Sequence, residues 1–446
     1  MRSRSITGPV LLVLIGFIFL VNNIWRDTNL WAMALDYWPI LLIVLGVIGL
    51  MEVLYHASRG VANPPRPLAG AGVFWIVMLV AFFNWAGNHG NLHFGPWSNG
   101  GINVLGTNYS YDVNATGDSK GVSRVVLDNL KGTLSLKGDD GGEVKVSGKK
   151  SILAFSKGDA DRANEESPLK VERQGDLLIV HADDPKGSKM LSVSADLDIA
   201  VPKGLDVEVR GRNGDLTIDD VSGAVSVEAG KGDVRISNVG KDVKVGSNRG
   251  NLIRITDTKG KVDLEGPRGG DVQLENIGDE VTIKGEYTGD LEFQRLAKPM
   301  RFQSKHTDFR VEAVPGDIKM DSGDLTLTNL IGPVRFTTSS RDVHATDVSG
   351  GLELSVEHGD IEVTQTKTPL AKMEIHSGSG DVTLAIPEKA GFDIDGKTGH
   401  GEVSNDFGDP LKTEQEGRAA TIKGKQGSGP EIKVTTDRGG VTIKKS

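Results

Sequence analysis

From Asn213 to Val245 the chain reads NGDLTIDDVSGAVSVEAGKGDVRISNVGKDVKV, in which GDLTIDDVSGAVSV is followed by GDVRISNVGKDVKV. Aligning the Gly-Asp pairs and their variants gives starts at Gly214, Gly232, Gly250, Gly270, Gly289, Thr307, Gly323, Arg341, Gly359 and Gly380. The steps are 18, 18, 20, 19, 18, 16, 18, 18 and 21 residues. Within a unit, apolar residues alternate twice: Leu216 and Ile218, then Val225 and Val227. The next unit holds Val234, Ile236, Val243 and Val245 in the same places. Period-two alternation marks short strands with one buried face.

Two architectures accommodate such strands. A sandwich or antiparallel meander has turn signals at this spacing, but it gives each turn a different job. A solenoid stacks every unit on the last, so each coil meets the same steric demand and repeats the same residues. The recurrence in register over nine steps favours the solenoid. The expected fold is all-β, a parallel β-solenoid (β-helix) of 18–20-residue coils. About ten coils at ~4.8 Å per rung would make a rod near ~50 Å long. Gly at the corner adopts dihedrals that residues with a Cβ resist, and the following Asp or Asn can bond nearby backbone amides.

The flanks are less regular. VVLDNLKGTLSLKGDDGGEVKVSGKK, from Val125, starts like a pair of coils, and SKGDADRANEESPLKVERQGDL then breaks the alternation. A helical excursion is expected near 156–170, with the helix itself from Asp159 to Ser167, and a loop excursion near 407–430. The solenoid is expected over 122–446, behind a Gly/Asn-rich linker at 88–121. Lys444 and Lys445 on the last strand suit an exposed edge protected by charge.

Before the linker, three apolar segments at about 8–25, 38–55 and 71–87 have the length of transmembrane helices. The first, behind Arg2 and Arg4, has features of a signal peptide, but no small-residue cleavage motif follows and two more spans come soon after. Arg59 and Arg66 lie between the second and third segments, while Arg26 alone, beside Asp27 and Asp36, lies between the first two. The positive-inside rule then puts the N-terminus in the cytoplasm and everything after the third span outside. Residues 1–87 are thus expected to be an α-helical module spanning a cytoplasmic membrane. Glu52, near the end of the second span, reads best as a side chain snorkelling to the interface.

The spans GPVLLVLIGFIFLVNN and DYWPILLIVLGVIGLMEVL resemble the transmembrane region of LiaI- and LiaF-like envelope proteins over residues 8–55. The shared features are a Gly-Pro opening, an Asn pair and a Trp-Pro-Ile second span. The order DNLKGTLSLKG, DADRANEESP, VPKGLDVEVRGRNG, the Gly-Asp series and GSGPEIKVTTDRGGVTI resembles a bacterial putative-adhesin family of unknown function, over about 122–444. That resemblance implies a β-solenoid and envelope association. It assigns no chemistry.

A search for chemistry returns little. There is no Cys, so disulfides, thiol catalysis and Cys-ligated zinc are excluded. Beyond Trp97 the chain holds 46 Lys+Arg against 57 Asp+Glu, with both signs interspersed, which argues against nucleic acid as a partner. The many Asp fall at turns, where structural Asp is expected, rather than as a catalytic pair. GPRGGDVQL (266–274) is the nearest approach to a calcium-binding β-roll repeat and does not match it. His89 and His93 have a metal-ligand spacing that Gly90 spoils, and His344, His358 and His376 read as surface scatter rather than a ligand column. No catalytic, cofactor-binding or metal residues are singled out, and no cofactor is expected.

The expected function is that of a non-enzymatic, membrane-anchored envelope protein whose solenoid serves sensing or organisation. Its partners would be the lipid bilayer and an envelope membrane protein or surface polymer. Self-association through the solenoid ends, by strand addition, is a further option. An adhesin or surface-polymer binder is the first alternative. A polysaccharide-active β-helix enzyme is the second, and it would need a dense Asp/Arg/Lys patch on adjacent coils.

Overall fold

A computed structural model describes residues 106–446 apart from 129, 183–189, 229 and 247–251. The three apolar segments, residues 88–105 of the linker, Glu52, His89 and His93 lie outside the described residues. Among the described residues no helix is long and apolar enough to cross a membrane.

Each repeat unit forms one coil with two strands. Leu216–Val221 lies in a front sheet and Val225–Val227 in a back sheet. The next coil sits on it in parallel, with Leu216 against Val234, Ile218 against Ile236 and Val225 against Val243. Sixteen strands make up the front sheet, most of them joined in this way, and the back sheet runs in one line from Leu169–Gln174 to Leu411–Glu416. At ~4.8 Å per strand the front sheet extends roughly 70 Å. That exceeds the length inferred from ten coils, because the irregular flanks also join it. The inward aliphatic columns between the sheets form one continuous core.

Gly at the corner is required by the closeness of the rungs. Gly232 has φ 101°, and a Cβ there would lie 2.4 Å from the carbonyl oxygen of Gly214 below. A second special position recurs at the other end of seven front strands. Asp220, Asn238, Asp257, Asn276, Arg295, Asn329 and Asp347 all have φ between 49° and 61°. Asp and Asn tolerate this left-handed conformation best among residues with a Cβ. The single bulged residue resets the alternation, so that Val221, Val239, Thr258, Ile277, Leu296, Leu330 and Val348 turn inward and are buried or nearly so. DDVSGA and SNVGKD are therefore not simple turns; each contributes a further core residue.

The unit beginning at Thr307 departs from the repeat. Thr307–Val311 runs antiparallel to Met300–Gln303 in the back sheet. The chain then crosses to Val314–Met320, which runs antiparallel to both Leu291–Leu296 and Asp324–Thr328 in the front sheet. One coil is thus traversed backwards, and winding resumes at Asp324. Two tight turns make this possible: Ser304 Oγ accepts from the amide of Thr307 at 3.1 Å, and Asp321 Oδ1 from those of Gly323 and Asp324, each at 2.7 Å. The short 16-residue step to Gly323 is the trace of this reversal in the sequence. Phe302, Phe309 and Phe336 fill the core behind it, side by side on three strands, with the last two rings edge to face at 5.6 Å.

Both ends fold back on themselves. The early coil Arg124–Asp128 and Leu134–Asp139 is flanked on one side by the later strands Leu177–Ala182 and Met190–Pro202, and on the other by the advancing repeats. At the far end, Glu431–Thr436 lies between Met373–Ser379 and Phe392–Thr398. Val441–Lys445 lies between Val382–Ile386 and Val403–Asn405. The strand that carries Lys444 and Lys445 is therefore inside the front sheet, not at its edge, although the two exposed lysines lie past the end of Val403–Asn405 and pair only with Ala385 and Ile386. The reason is that 407–430 is more than a loop: Leu411–Glu416 and Ala419–Gln426 form a hairpin on the end of the back sheet, and the chain returns from it into the stack. Lys445 pairs with Glu388 at 2.8 Å and lies over the Phe407 ring.

A strand also covers Thr107–Asp118, within the stretch read as linker. With Glu143–Ala154 and the helix Lys157–Glu166 it encloses a second small core of Ile152, Ala154, Ala160 and Ala163. Ser156 caps the helix by accepting from the amide of Asp159 at 3.2 Å. At its other end the buried Lys150 donates to the carbonyls of Asn164 and Ser167, at 3.0 and 2.6 Å. Burial holds the Lys150 ammonium below its ordinary pKa.

Candidate functional site

The turn carboxylates come first, because the sequence is rich in them. Asp215 Oδ1 accepts the amide of Asp233, one rung on, at 2.9 Å. Asp271 accepts that of Asp290, Asp342 that of Asp360, Asp360 that of Asp381 and Asp381 that of Gly440, all between 2.6 and 3.0 Å. A parallel ladder on the other corner joins Asp206 to Ala224 and Asp242 to Lys261. These carboxylates tie rung to rung. In each, Oδ1 is taken up by a backbone amide of the next rung.

The histidines divide between the sheets. His344 is on the front sheet, with Nδ1 3.3 Å from Glu362. His358 and His376 are on the back sheet at different register positions, opposite Ser379 and Ser355. They form no column. Among the described residues no group of three or more His, Asp or Glu is placed to hold a metal ion. Residues 266–269 of the calcium-like segment belong to the irregular end of the strand Val262–Gly269.

Two charge clusters on the back sheet escaped the sequence reading. In one, Glu208 is nearly buried between Arg124, at 2.9 Å, and Arg210. Burial pushes its carboxyl pKa up, but the two guanidinium bonds outweigh this and hold it below its usual range. This cluster ties the two neighbouring strands Arg124–Asp128 and Asp206–Arg210 together.

The other cluster lies over the reversal. Register sets Arg301 directly opposite Arg310, and Arg310 opposite Arg335, on three adjacent strands. All three point away from the phenylalanine row and are partly exposed. Arg335 is bonded to Glu353 at 2.7 Å and Arg310 to Asp308 at 3.2 Å. Arg301 faces Asp308 at 3.9 Å, too far for a hydrogen bond, and both Arg301 Nε and Asp308 Oδ1 lack a partner. Lys284, Thr282, Gln303 and Thr337 surround the row. The repeat alignment hides it, because a parallel unit at Thr307 would have put Arg310 on the front sheet.

Among the edge strands, Val403–Asn405 is very short, while Leu169–Gln174 and Leu411–Glu416 carry charges of both signs. Thr107–Asp118 has twelve residues without Lys, Arg or Pro, and no strand pairs with its outer edge among the described residues.

Comparison with known proteins places this architecture. No curated protein matches the chain. Solved structures with similarity include a "putative cell adhesion protein" from Clostridium sporogenes, 12% identical, covering 76% of this chain and 100% of that one, with a TM-score of 0.18. A "putative adhesin" from Bacteroides fragilis is 12% identical, covering 75% and 97%, with a TM-score of 0.20. Another from Parabacteroides distasonis is 11% identical, covering 76% and 97%, with a TM-score of 0.23. At these TM-scores the likenesses carry no statement about function. A family model described as Toastrack DUF4097 matches residues 106–444, beginning beyond the LiaI/LiaF-like stretch. Through these residues the chain belongs to the Toastrack DUF4097 family.

Proposed function

We propose that this protein is a non-enzymatic, membrane-anchored interaction scaffold of a bacterial envelope. The apolar segments at 8–25, 38–55 and 71–87 supply the anchor, and the solenoid is held outside the cytoplasm to meet a membrane protein partner. The observation that carries this reading is the use of the turn carboxylates: seven of them are bonded to the backbone of the next rung. What the sheets offer outward is an extended array of polar side chains, suited to recognition rather than to bond cleavage. The test is cross-linking and affinity purification from native membranes, comparing the full chain with one carrying unrelated spans. A membrane protein recovered only with the native spans supports the scaffold. Equal recovery of surface polymer with both chains, and nothing else, defeats it.

A second reading, surface-polymer binding, is favoured by the arginine row. That row has one carboxylate between its arginines, Asp308, where glycoside hydrolysis normally uses two flanking a sugar. It suits holding a polymer better than cutting one.

A further inference from the structure

We propose that the row Arg301–Arg310–Arg335 on the outer face of the back sheet binds an acidic polysaccharide laid across the strands, so that successive carboxylates meet successive rungs. This rests on the second reading above and gives it a site and a ligand chemistry.

The row is an exception within its own sheet. Elsewhere at this register position, Lys244 faces Asp263, and Lys433 faces both Glu374 and Asp395. Glu353 does face Glu374, but Arg335 neutralises it. Like charges directly opposite each other destabilise a sheet. Over the reversal three guanidinium groups stand side by side, and one carboxylate, Asp308, serves two of them incompletely. Nothing in the packing calls for this. The phenylalanines behind the row fill the core whatever points outward.

The ligand follows from geometry. Guanidinium forks match carboxylates in two-point hydrogen bonds. Neighbouring strands are ~4.8 Å apart, close to the length of one sugar ring, so a chain with one carboxylate per sugar presents its charges at the spacing of the arginines. Thr282, Gln303 and Thr337 offer hydroxyl and amide groups to sugar hydroxyls on the same face. No aromatic side chain points outward in this row to stack a base, and the chain carries a net charge of −9, so single-stranded nucleic acid is a poor fit.

The experiment is calorimetric titration of the full chain, in detergent micelles at low salt, with polygalacturonate. Dextran serves as the neutral polymer and inorganic polyphosphate as the phosphate polymer. The expected result is binding of polygalacturonate but not dextran, weakened about tenfold or more by Arg310→Gln combined with Arg335→Gln. Arg310→Lys, which keeps the charge but loses the fork, should recover part of that loss. Lys244→Gln, in the same row away from the reversal, should bind as the parent does. If the double variant unfolds, Arg335→Gln alone, at the most exposed of the three positions, gives the same comparison. Equal binding by parent and variants overturns the site while the surface-polymer reading stands. Polyphosphate bound in place of polygalacturonate overturns the ligand class. Failure of every polymer to bind ends both the site and that reading.

Discussion

Arg341 donates from Nε to the carbonyl oxygen of Asp321 at 2.8 Å, and from Nη1 to Thr307 Oγ1 at 3.1 Å. One half-buried side chain thus reaches both hairpins of the reversed coil, and burial lowers its pKa. Arg341 occupies the corner that Gly fills in most coils. Replacing it with Ala should cost about 1–3 kcal/mol by leaving these acceptors without their donor. Urea denaturation of the parent and variant measures the difference. A change below the error of the midpoint would mean that the turns hold the reversal unaided.

Thr258 is buried where neighbouring coils have Val239 and Ile277, and its hydroxyl has no hydrogen-bond partner. Thr258→Val removes the unsatisfied group at nearly constant volume. We expect a gain of about 1 kcal/mol, read as a higher thermal midpoint with unchanged circular dichroism.

The glycines differ in what they permit. At Gly232 a Cβ would meet the carbonyl of the rung below, whereas at Gly417, with φ 62°, nothing lies within 4 Å. Gly232→Ala should therefore cost more than about 3 kcal/mol, and Gly417→Ala only the ~1–2 kcal/mol of the left-handed backbone. Equal losses would contradict the close stacking of rungs.

Acid should loosen the stack. Asn238 and Ser237 donate to Asp219, and Asp321 accepts two backbone amides, so both carboxyls are held below their usual range. For Asp347 burial acts upward, but bonds from Thr366 and Lys367 prevail and its pKa is also lowered. Because these folded-state pKa values are depressed, their contribution is present in full above the ordinary carboxylate range near ~4. It is lost as pH falls through the lowered values. Chemical denaturation between neutral pH and the acid limb should show stability falling across that window, with a shallower fall in Asp219→Asn.

The repeated coil was legible because each buried position recurs. Leu216, Ile218, Val225 and Val227 announce their own columns, and the corner Gly follows from the closeness of the rungs. The direction of a coil was not legible. TDFRV alternates identically whether it runs up or down the sheet, and only the short step and the DSG turn betray the reversal. The arginine row was hidden for the same reason, since its members align only across antiparallel strands. The strand pairing of Lys444 and Lys445 was out of reach too, because their neighbours are set by contacts more than fifty residues away.

The final coil, Glu431–Thr436 and Val441–Lys445, sits between coils made earlier in the chain. A polypeptide emerging from its N-terminus would complete the outer coil with this gap still unfilled. Both sheets would then carry a break bordered by unpaired backbone until the last residues arrive. Synthesis therefore closes this rod from within, like a keystone set after the arch. A chain stopped only twenty residues short would lose this coil altogether, leaving the breach in the body of the rod rather than at its tip.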